Sequence, residues 1–73
     1  MMNATEKTQA RYVLTRLNEI VNLTHNLRLE FNEDAEQVLI YTMTTKKPIK
    51  IVSVADDSAA AILDDVMAGI GEL

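Results

Sequence analysis

His25 is the only histidine and the chain has no cysteine, so acid–base, nucleophilic and metal-ligating chemistry all rest on very few side chains. Ser53 or Ser58 could be combined with His25 and an aspartate, but neither serine sits in the glycine-flanked spacing of a nucleophile elbow. The carboxylate pairs Asp56-Asp57 and Asp64-Asp65 are adjacent residues, which a helix directs about 100° apart, so neither makes a ready metal or acid–base pair. Glu33-Asp34-Glu36 lacks the glycine and the spacing of an EF-hand loop. The only glycines, Gly69 and Gly71, lie near the C-terminus and form no phosphate-cradling loop. His25 falls in the last turn of an expected helix, where its cationic form suits the helix dipole. No catalytic residue, cofactor or metal is therefore expected, and the chain reads as a non-enzyme.

What the sequence does carry is segregated charge. The net charge is -4. Lys7, Arg11 and Arg16 outweigh Glu6 and Glu19 in the first 26 residues, and the middle of the chain balances. Residues 55–73 then hold Asp56, Asp57, Asp64, Asp65 and Glu72 with no Lys or Arg. Asp57, Asp64, Asp65 and Glu72 fall on neighbouring lines of one helix without the opposite charges that usually offset repulsion. Such a face can dock on a basic protein surface. The alternative is nucleic-acid contact through Lys46, Lys47 and Lys50 at a hairpin tip, against which the net negative charge argues.

The elements that position these residues follow from apolar spacing. With 73 residues and 48% hydrophobic content the chain is one small globular domain, residues 1–73. Ala10, Val13, Leu14, Leu17, Ile20 and Val21 recur at helical spacing, and either Asn3 with Glu6 as a capping box or Thr5 is expected to cap the helix. A helix is predicted over about 4–25, with Asn26 as its left-handed stop. Leu27, Leu29 and Phe31 alternate as a strand, Gln37 to Met43 forms a second, and Pro48 to Val54 a third. Ala59, Ile62, Leu63, Val66, Met67, Ile70 and Leu73 mark a closing helix capped by Asp56, Asp57 or Ser58. The predicted fold is α+β, ordered α-β-β-β-α, a three-stranded antiparallel meander with both helices packed on one face.

Two four-residue loops set an expected register. Leu29 faces Val38 and Leu27 faces Ile40; Ile40 faces Ile51 and Val38 faces Ser53. One face then collects Leu27, Leu29, Phe31, Val38, Ile40, Ile49 and Ile51. The other presents Leu39, Tyr41, Met43, Val52 and Val54 to solvent, an apolar patch expected to make a protein interface. Self-association as a homodimer is the simplest form, since so short a domain gains buried area by it. The absence of cysteine favours a reducing cytoplasm. The longest apolar runs, Val38 to Tyr41 and Ala59 to Leu63, fall far short of a membrane span, and the first residues lack an apolar signal region.

The element order is similar to that of double-stranded-RNA-binding domains. That family opens its second helix on a lysine-rich phosphate clamp, whereas Ala55-Asp56-Asp57-Ser58-Ala59-Ala60-Ala61 carries the opposite charge, so the resemblance is one of topology. Size, acidity and element order also resemble those of phage-encoded inhibitors of host defence. By that analogy the chain is expected to be a small regulator or inhibitor that occludes a basic surface.

Overall fold

Asn3 starts the first helix as predicted. Its side chain accepts from the Glu6 N–H at 2.8 Å, while the Glu6 carboxylate accepts from the Asn3 N–H at 2.9 Å. The computed structural model describes residues 1–73, with α1 at Ala4–His25, β1 at Leu27–Asn32, β2 at Gln37–Thr42, β3 at Lys50–Ser53 and α2 at Ala59–Gly71. Asn26 ends α1 in the left-handed region, and Ser58 caps α2 by accepting from the Ala61 N–H. The strands form one antiparallel sheet in the order β1-β2-β3. The α+β architecture is therefore as the spacing implies.

A single core lies between the helices and the sheet. Ala10, Leu14, Leu17 and Val21 of α1 and Ile62, Val66 and Ile70 of α2 meet Leu27, Leu29, Val38 and Ile40. Each such aliphatic side chain, fully buried, contributes about 1.5–3 kcal/mol before chain entropy is subtracted. The β1–β2 turn is held by Asn32, whose Oδ1 accepts from the Ala35 N–H, and by Glu36 at φ 53°. Glu36 is buried, and its carboxylate accepts from the Met2 N–H at 2.6 Å.

The register departs from expectation twice, with different consequences. Leu29 pairs with Ile40 and Phe31 with Val38, an offset of two residues that leaves every side chain on its expected face. Val38 pairs with Val52 and Ile40 with Lys50, an offset of one that turns β3 over. The cause is the β2–β3 loop. Thr42 and Thr45 exchange hydrogen bonds, each hydroxyl accepting from the other's N–H, which ends β2 before Met43. Ile49 N–H then donates to the Ile40 carbonyl at 2.7 Å, so Ile49 and Lys50 both lie opposite Ile40 as a bulge.

As a result Val54 is fully buried and Val52 packs against the core, while Ile49 and Ile51 are 41% and 52% exposed. The expectation that Val52 and Val54 face outward is corrected, as is that of Ile49 and Ile51 in the core. Helix α2 comes so close to β3 that a Cβ on Gly69 would stand 2.8 Å from Val52 Cγ2. Gly69→Ala is therefore expected to destabilise the fold by about 1–3 kcal/mol through overpacking, more than the helix propensity it gains. Gly71, where a Cβ meets nothing within 4 Å, should gain up to about 1 kcal/mol as alanine. Urea unfolding checks this: the two midpoints should move in opposite directions, and equal shifts would contradict the close contact.

Candidate interaction surface

The outer sheet face is less apolar than expected. Arg28 pairs with Tyr41 across β1 and β2, and its guanidinium carbon lies 4.1 Å from the ring centroid. Glu30 holds the same guanidinium at 3.4 Å. Tyr41 is only 8% exposed, so it is covered within the chain rather than offered to a partner. Of the five residues expected to form the interface, Val52 and Val54 belong to the core, Tyr41 is covered and Leu39 is half-buried. Met43 remains 49% exposed just past β2, and the turned strand adds Ile51, with Ile49 at its start. The central aromatic anchor is therefore withdrawn, and aliphatic side chains at the β3 end replace it.

The three lysines do not act together. Lys46 and Lys47 are exposed in the β2–β3 loop, but Lys50 lies on the helix-facing side of β3. Its ammonium donates to Glu72 Oε2 at 2.6 Å across the gap to α2. That hydrogen bond and the ammonium charge hold the Glu72 carboxyl below its ordinary range.

The acidic residues do not share one line of a helix: Asp56 and Asp57 precede α2, and Asp65 and Glu72 border its β3-facing flank. Asp56 meets the Met1 amino group at 2.9 Å, Asp64 is exposed, and Glu72 is paired with Lys50. Asp57 lies before the Ser58 cap and so outside α2, which corrects its expected place on one helix line with Asp64, and the carboxylate of α2 that acts on it is Asp65. Asp57 Oδ2 is buried and has no hydrogen-bond partner. Burial foremost, then the neighbouring Asp65 carboxyl and the charge of Asp56, push Asp57 up to about 6. Asp56-Asp57 and Asp64-Asp65 are adjacent in sequence, but the carboxylate that Asp65 acts on is Asp57, one member of each pair.

Between β3 and α2 runs an open groove of about 280 Å³. Its walls are Lys50, Ile51, Val52 and Ser53 on one side and Asp65, Ala68, Gly69 and Glu72 on the other. The latter four recur at helical spacing, so they form one side of α2 beside the side that enters the core. Small residues floor the groove and two carboxylates border it. Comparison of the chain with family models, curated proteins and solved structures gives no match. No helix is long and apolar enough to cross a membrane.

The Asp57 environment has a stability consequence with a definite sign. Its carboxyl holds a proton more tightly folded than unfolded, since about 6 exceeds the ordinary 3.8. This contribution to stability is therefore present at low pH and lost as pH rises through that window. Asp57→Asn is expected to be more stable than wild type at pH 7, with the advantage vanishing below about pH 4. Thermal melts across pH check it; a constant difference between the two proteins would contradict the raised pKa.

Proposed function

We propose that the chain is a non-enzymatic protein-interaction module, a small regulator that docks the acidic flank of α2 on a basic partner surface. One observation carries the reading. The segment from residue 55 onward holds five carboxylates and no Lys or Arg, and only Glu72 among them has a cationic side chain within ion-pair distance. Asp56 is held by the Met1 amino group and Glu72 by Lys50, which leaves Asp57, Asp64 and Asp65 without a cation, and such a field steers association with a cationic surface and fixes its orientation. By occupying that surface the module would inhibit by occlusion. The lack of cysteine favours a reducing setting, the cytoplasm.

The double variant Asp64→Lys, Asp65→Lys tests the reading, because both residues are exposed and the fold should survive. Wild type immobilised in cell extract is expected to retain basic proteins that the variant loses and that elute as salt is raised. An identical captured set from both proteins would contradict it.

A second reading, self-association through the outer sheet face, is favoured by the exposure of Met43, Ile49 and Ile51. Light scattering on a sizing column should then give a dimer that Ile51→Glu converts to a monomer. A monomeric wild type would exclude it. Nucleic-acid contact would rest on Lys46 and Lys47, since Lys50 is engaged by Glu72.

A further inference from the structure

We infer that the β3–α2 groove binds an extended, lysine- or arginine-bearing segment of a partner protein, which joins the sheet as a fourth strand alongside β3. This rests on the reading of α2 as the partner-binding flank and specifies how that flank engages.

The two edges of the sheet differ. On β1 the outward Leu29 N–H is taken by Asn18 Oδ1 of α1 at 2.8 Å, and Arg11 closes on Glu33 at 3.0 Å nearby. That edge is already occupied by the chain's own side chains. On the other edge, the Val54 N–H points inward to the Glu36 carbonyl at 2.9 Å. Hydrogen-bonding direction alternates along an antiparallel strand, so Val52 also faces β2 while Ile51 and Ser53 direct N–H and C=O outward. A strand end with outward donors and acceptors is a template for another strand.

Helix α2 shapes what can bind there. An added strand lies about 4.8 Å from β3, beside the exposed Ala68, whose small side chain borders the groove, while Gly69 is packed on Val52 beneath it. Alternate side chains of that strand point toward α2, where Asp65 and Glu72 stand. Lys50 demonstrates the reach, because its ammonium already crosses from the same sheet face to Glu72. A basic side chain one strand further out finds Asp65, which has no cation within ion-pair distance.

Charge also decides against a second copy. Pairing β3 with β3 of another molecule would make one continuous sheet and set two α2 helices side by side on the same face. Each brings Asp65 and Glu72 to the junction, and because Lys50 of each copy is already held by its own Glu72, no free cation faces Asp65 and the like charges there are unfavourable. The open edge therefore repels its own kind and selects a cationic strand.

Synthetic heptapeptides of alternating Lys-Val and Arg-Thr, with an alternating Glu-Val control, test the inference against the intact protein. The basic peptides are expected to bind, to shift the Ile51 and Ser53 amide resonances, and to outbind the acidic control at least tenfold. N-methylation of the alternate peptide amides that would face β3 should weaken binding at least tenfold, whereas methylation of the intervening amides should not. Asp65→Lys should cause a loss of similar size. Absence of binding by the basic peptides overturns the inference. So does binding indifferent to both methylation patterns, which would leave the acidic flank as a docking surface without strand addition. Concentration-dependent shifts of Ile51 and Ser53 in the free protein, signalling β3 self-pairing, also overturn it.

Discussion

The bulge at Ile49 and Lys50 decides which side chains of β3 face α2, and the surface of the molecule follows from that offset. Because side chains alternate, a one-residue change in pairing moves a whole strand's apolar set from one face to the other. With the bulge, Val52 and Val54 enter the core and Lys50 points across to Glu72. Ile51 is released to the outer face, and the close approach at Gly69 becomes necessary. The groove, its acidic border and the direction of the free backbone groups all depend on this one pairing.

Much of the architecture is legible without coordinates. Asn3 with Glu6 and the left-handed Asn26 bound α1 because capping chemistry is local and acts within a few residues. The strand faces of β1 and β2 survive an incorrect pairing because the error is an even number of residues. For β3 the pattern is ambiguous for a physical reason. Ile49, Ile51, Val52 and Val54 place two aliphatic residues on each face, so alternation alone cannot choose between them. The choice is made by the Thr42–Thr45 hydroxyl exchange, a local turn contact that apolar alternation does not register, and by the bulge that pairs Ile49 with Ile40 across the loop. Tyr41 is hidden for a similar reason. Only the true register sets Arg28 opposite it, and the guanidinium then covers the ring.

The acidic flank shows the same division. Its charge is evident from composition, but the burial of Asp57 beside Asp65 is a feature of the folded chain that residue spacing does not show. A domain of this size has little stability to spare. Keeping carboxylates together, one with a buried unpartnered oxygen, opposes folding at neutral pH.

Amide hydrogen exchange in the free protein tests the pairing of β3 most directly. If the bulge sets the register as described, the Val52 and Val54 amides exchange slowly while those of Ile51 and Ser53 exchange fast. Slow exchange at Ile51 and Ser53 with fast exchange at Val52 and Val54 would turn the strand back over. It would then return Ile51 to the core, remove the groove and pass the outward backbone groups to Val52 and Val54.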